Sequence, residues 1–381
     1  MKSLSRLLLL HLAAPVALVG QQVTDRDLLR REEMFRYAAL YEATSSTSDP
    51  SIDISYYKLN LTVATSPPRL SGIVTVKARS TIPSLVSLSL DLADTMTVDS
   101  VLSGGMSLSF VHQGGALLIT LDRTYATGEM VIVDVFYSGL PAETGFGSFV
   151  FSEHDGIPWV WSLSQPYGAR DWWPCKDHPL DKADSADIWI TCDSLFKVGS
   201  NGRLLAVTDN TDGTRTWKWT ERYPIAAYLI SIALTNYVEF SNWFLYSPSD
   251  SMQVLNYVTP EHLNDGLANL PRTVEMLGIF SDRFGLYPFI AEKYGHAEFG
   301  RGGAMEHQTM TSATHLAFAE YVVAHELAHQ WFGDLITCAN WPNLWLNEGF
   351  ATYCEAVYFE DRYGSAAYWN DILPKLAAAG V

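Results

Sequence analysis

Residues 321–334 read YVVAHELAHQWFGD. Ala324, Leu327, Ala328, Trp331 and Phe332 are core-type side chains, and neither glycine nor proline interrupts the run before Gly333, so the stretch reads as a buried or half-buried helix. Within it stand His325, Glu326 and His329, groups that are costly to bury without partners. On a helix, His325 and His329 project from one face and can meet one ion. Glu326 is rotated by about 100° from His325, towards the side where a coordinated water would sit.

Two imidazoles do not complete a catalytic zinc centre, which takes three protein ligands and keeps one position open. The next apolar stretch, NLWLNEGFATYCEAV at 343–357, offers Glu348 as the third. The span between His329 and Glu348 leaves room for a turn, a loop and a returning helix. Two histidines and a glutamate suit zinc and leave a site for water, whose pKa the ion lowers towards neutrality. Glu326 can then take the proton from that water and deliver it to a leaving amine. The chemistry implied is hydrolysis of an amide bond with one Zn2+ held by His325, His329 and Glu348.

Working outward, the 381-residue chain is 48% hydrophobic, 13% aromatic and 18% charged, ample for a packed core and in keeping with two domains. Its formal net charge of −17 argues against a nucleic-acid partner or an anionic membrane surface. The first twenty residues, MKSLSRLLLLHLAAPVALVG, place Lys2 and Arg6 ahead of an apolar run from Leu7 to Val19, the pattern of a secretory signal peptide. We expect an exported protein, periplasmic or extracellular, with no membrane span in the mature chain. Cys175, Cys192, Cys338 and Cys354 are enough for two disulfides or can remain as buried thiols, and their spacing does not choose.

Residues 21–53 read as a charged helix followed by a linker. From 54 to 240 the period is two: Val74, Val76 and Ala78 oppose Ile73, Thr75 and Lys77, and Leu88, Leu90 and Leu92 alternate with polar residues. Met106, Leu108 and Phe110 alternate towards Gly114-Gly115 and are answered by Leu117, Ile119 and Leu121, which predicts a hairpin. From 241 to 381 the pattern is mainly helical, with a start at Thr259-Pro260-Glu261 and a helix over Leu270–Phe284. His112, His154, His178 and His262 read as ordinary surface or core residues.

HELAHQWFGD together with WLNEGFA resembles the aminopeptidase N family of gluzincin zinc metallopeptidases, which includes the leukotriene hydrolases. Gly303-Ala304-Met305-Glu306, upstream of His325, is similar to that family's exopeptidase motif. There, a backbone edge lies along the substrate and the glutamate binds its free α-amino group. Ion pairing with an N-terminal ammonium is sound chemistry for a carboxylate in that place. SQPYGARDWWPCKDHPLDKAD at 164–184 resembles the segment where the family's β domain meets the active site, and it puts Gln165 among the substrate-binding residues.

The resemblance implies an α+β multidomain fold: an antiparallel β saddle domain, then a thermolysin-like, mainly helical catalytic domain that is incomplete here. It implies an aminopeptidase acting on peptides with a free N-terminus, of unspecified oligomeric state. There are two departures. His307 stands where the family most often has asparagine. The family's transition-state-stabilising tyrosine lies further beyond the third ligand than Val381 does, a position that Tyr353, Tyr358, Tyr363 and Tyr368 do not match. A fragment of a longer protein, hydrolysing peptides poorly by itself, is therefore the expectation. The alternatives are an impaired zinc- or peptide-binding module and a thermolysin-type endopeptidase; the latter fits less well because Glu306 would obstruct a chain running past the cleaved residue.

Overall fold

Alternating apolar and polar side chains build the first half of the molecule. The computed structural model describes residues 48–378, so the expected leader and the helix expected at 25–42 lie outside the described residues. An eight-stranded sheet runs in the order Arg203–Asp209, Thr214–Glu221, Ser185–Asp193, Ile52–Thr65, Pro68–Ser80, Met130–Gly139, Met96–Ser103 and Met106–Leu108. Ile52–Thr65 and Ser185–Asp193 pair in parallel, and its other pairings are antiparallel. Along Pro68–Ser80 the predicted faces separate: Val74, Val76 and Ala78 are buried, while Ile73, Thr75 and Lys77 are half-exposed.

The Gly114-Gly115 hairpin joins Phe110–Gln113 to Ala116–Tyr125. Both glycines adopt positive φ, 63° and 77°, as a tight two-residue turn requires. One expectation needs correction. Met106 to Phe110 is not a continuous strand: it breaks at Ser109, with Met106–Leu108 on the eight-stranded sheet and Phe110–Gln113 on a three-stranded one. Met106 is 57% exposed and takes no part in the core, whereas Leu108 is buried in it and Phe110 packs against it.

The hairpin Val238–Leu245 and Ser251–Val258 opens the second half. It starts a five-stranded sheet that continues through Tyr294–Glu298 and Thr311–Ala313 to Ala304–Met305 at the edge. With this sheet go α1 (Leu263–Asn269), α2 (Thr273–Phe284), α3 (Glu320–Ala328) and α4 (Trp345–Tyr363), and α5 (Ser365–Ala378) packs on α4. Leu270–Arg272, predicted as helix, is a short 3-10 turn ahead of α2, which starts at Thr273. None of the described helices is long and apolar enough to cross a membrane. The four cysteines are buried free thiols, which settles the choice left open by their spacing.

Two apolar cores result. The larger fills the β half and reaches into the second half through Phe299, Met305, Met310, Trp341 and Leu344. The smaller packs α2, α3 and α4 over the five-stranded sheet, with Phe280, Leu327, Trp331 and Tyr358 among its buried members. Both cores press on the loops that flank α3, and this contact holds the site.

Candidate active site

Helix α3 begins at Glu320, whose negative charge is favourable in a first turn, and its regular part ends at Ala328. All of Tyr321–Ala328 is buried, as the apolar run predicted. Gly333 lets the chain pass close to the second imidazole. Its φ is +144°, and a Cβ there would lie 3.1 Å from His329 Nδ1 and 3.2 Å from His329 O, so any larger residue would crowd the ring.

The two imidazoles are held from behind. His325 Nδ1 donates to Glu355 Oε1 at 2.9 Å, and His329 Nδ1 donates to the carbonyl of Phe332 at 3.1 Å. Both Nε2 atoms are thereby left as lone-pair donors, as metal-ligating histidines require. They lie 3.1 Å apart, and Glu348 Oε2, from the first turn of α4, is 3.3 Å from each. Three donors at about 2.0–2.1 Å from a tetrahedral zinc stand about 3.3 Å from one another, so this triangle fits the ion without rearrangement. Burial opposes ionisation of Glu348, but His329 and His325 hold its carboxyl well below the usual range.

Asn347 fixes the start of α4. Its Oδ1 accepts the Cys338 N–H at 3.1 Å, tying the loop between the two helices to the residue beside Glu348. Glu306 and Glu326 approach the same place: their carboxylates and a ring nitrogen of His329 lie within 4.8 Å of one another. Both acids are buried, and Glu306 Oε1 has no hydrogen-bond partner among the described residues.

Gly303 precedes the edge strand, with its carbonyl bound by Thr314 N at 3.0 Å. Ala304 and Met305 pair with Ala313 and Ser312 and form the last strand of the sheet, which leads directly into Glu306. His307 turns back into its own hairpin, its Nδ1 2.8 Å from Ser312 Oγ. Gln165 is buried in the loop after Ile157–Leu163. That loop meets the second half through Tyr167 and Trp341, whose rings contact edge to face at 6.1 Å. Further along the same segment, Lys182 Nζ donates to the carbonyls of Asp334 at 2.6 Å and Leu335 at 2.9 Å.

Sequence reasoning missed three neighbours. Glu355 lies two helical turns beyond Glu348 on the same face of α4, a spacing that could have pointed to it. Lys375, on α5, reaches Glu355 Oε2 at 2.7 Å. Tyr228 lies near Glu306 and Glu348 with its hydroxyl buried; burial, then the charge of Glu306, pushes its phenol well above the ordinary value. Tyr358 and Tyr363 turn away, both donating to Glu320 Oε1, at 2.5 and 2.8 Å. Trp341, Trp345, Glu348, Tyr353 and Lys375 line a cavity of about 660 Å3 beside the ligand triangle.

Residues 54–229 match the Peptidase M1 N-terminal domain, and 273–379 match the Peptidase family M1 domain. The chain belongs to the M1 peptidase family. Among its curated M1 relatives are leucine aminopeptidase 2 of Vanderwaltozyma polyspora, 32% identical over 58% of this chain and 34% of the relative, and leukotriene A-4 hydrolase of Xenopus laevis, 26% identical over 82% and 52%. Among solved M1 structures is a zinc metallopeptidase mutant from Deinococcus radiodurans bound to a Tyr-Ser-Ala substrate. It is 27% identical, with a TM-score of 0.75 over 88% of this chain and 77% of that one. The chain spans about a third of the length of leucine aminopeptidase 2 and about half that of the leukotriene A-4 hydrolase. The zinc of the M1 zinc metallopeptidases agrees with the donor set assembled here.

Proposed function

We propose that this M1 chain carries the reaction centre of a zinc aminopeptidase, with one ion held by His325, His329 and Glu348. Zinc bound there supplies a Lewis acid for the scissile carbonyl and lowers the pKa of a coordinated water to about 7. Glu326 takes a proton from the attacking water as its oxygen bonds to the carbonyl carbon. It then passes that proton to the amide nitrogen as the C–N bond breaks. Glu306 pairs with the substrate's α-ammonium, and the Gly303–Met305 edge aligns the substrate backbone as an added strand. Gln165 contributes to the same amine end. Export rests on the pattern of the first twenty residues.

The observation that carries this reading is the approach of Glu306 to the ligand triangle. A buried carboxylate oxygen without a partner is costly, and a substrate ammonium offsets that cost. It also limits how much peptide fits on that side of the metal. The complete protein is expected to cleave peptides with free amino termini far faster than their N-acetylated forms. Equal rates on the two would exclude an aminopeptidase and favour an endopeptidase.

A further inference from the structure

A second His-Glu-His group lies outside this site. Glu298 ends the strand Tyr294–Glu298, and its side chain is fully buried. Its Oε2 accepts the Thr259 backbone N–H at 2.8 Å and the Thr259 hydroxyl at 3.0 Å. Its Oε1 is turned to two imidazoles: His262 Nδ1 at 2.5 Å and His315 Nδ1 at 3.9 Å. The two rings stack with centroids 3.7 Å apart. One donor atom from each of the three residues lies within 4.8 Å of the others. The histidine side chains are 26% and 31% exposed, so solvent reaches the group from one side. Glu261 and Asp265 add negative charge close to His262 and His315.

A hydrogen-bonded carboxylate explains His262, but it does not explain a second imidazole laid against the first beside the same oxygen. Stacked histidines that both become protonated repel, whereas neutral imidazoles and a carboxylate share a cation well. We propose that His262, Glu298 and His315 form a second divalent-metal site, suited to zinc or a similar ion that accepts nitrogen and oxygen ligands. The ion would join three separate pieces of chain: the turn before α1, the end of the central strand, and the segment that leads from Thr311–Ala313 into α3. It would thus brace the connection that enters the catalytic helix. Donor distances of 2.5 and 3.9 Å make a less regular triangle than the inner one, so the His262–Glu298 hydrogen bond must open and His315 must close for the ion to bind, and binding is weaker.

This site stands independently of the peptidase reading. The test is zinc titration of the metal-stripped protein, with bound metal counted per chain. Two ions are expected, the weaker one absent from the double variant H262A/H315A while the tighter one stays. A single ion in the unmodified protein, or two in the double variant, overturns the proposal. Because the double variant could fail to fold, diffraction from zinc-soaked crystals of the unmodified protein, collected at the zinc edge, gives a second readout. An anomalous peak among His262, Glu298 and His315 supports the site, and its absence at saturating zinc overturns it.

Discussion

The molecule contains two groups of two histidines and a glutamate, alike in composition and different in what surrounds them. In the inner group the donors form a near-regular triangle of 3.1, 3.3 and 3.3 Å, and each imidazole is held from behind by a carboxylate or a carbonyl. In the outer group the glutamate is fixed by Thr259, but the two rings lie on each other and partly in solvent. The inner group also has Glu326 and Glu306 so close that their carboxylates and a ring nitrogen of His329 lie within 4.8 Å of one another; Glu261 and Asp265 add charge near the outer group without joining its cluster of donor atoms. The ligand set alone therefore does not decide chemistry. Hydrogen bonds behind the ligands set affinity, and the acids beside them turn a metal site into a reaction centre.

Substitutions separate the two groups, most sharply at the inner ligands. Replacing His325 or Glu348 with alanine should remove the tight zinc and with it peptide hydrolysis, leaving the outer site able to bind; metal analysis alongside an activity assay reads both. Glu306→Ala should keep the zinc but reduce discrimination between free and acetylated amino termini by about 2–4 kcal/mol, seen as a ratio of kcat/KM values. Glu355→Ala removes the support behind His325 and should weaken inner zinc binding by about 10–100-fold, measured by competition with a chelator. Gly333→Ala, forcing a Cβ against His329 at positive φ, should destabilise the fold by about 1–3 kcal/mol in denaturant melts. The smallest effect belongs to the outer group: H262A/H315A should leave kcat/KM within about twofold at saturating zinc, since neither residue touches the substrate or the inner ligands.

How far each group is legible in the sequence depends on chain distance. His325 and His329 stand one helical turn apart, and Glu348 sits in the next helix among apolar neighbours, so helical spacing and ligand count were enough to single out three candidates that the fold brings together. The edge strand at Ala304–Met305 could be read only through its motif, because two residues carry no period. His262, Glu298 and His315 come from a turn, a strand end and a loop, and the five-stranded sheet alone brings them together. Nothing local marks them, and His262 read as an ordinary residue. The break at Ser109 failed for a related reason: alternation shows that a segment is extended, but not which of two sheets it joins.

The central claim is that the inner group is a zinc centre at which Glu326 moves the proton. Glu326→Gln tests it most directly, because the substitution keeps the shape of the side chain and removes its basicity. Zinc content and hydrolysis of a free-amino-terminus peptide should be measured on the same preparation of the complete protein. The account predicts unchanged zinc per chain with kcat lower by about 10²–10⁴-fold. Unchanged turnover, or loss of the zinc itself, would contradict it.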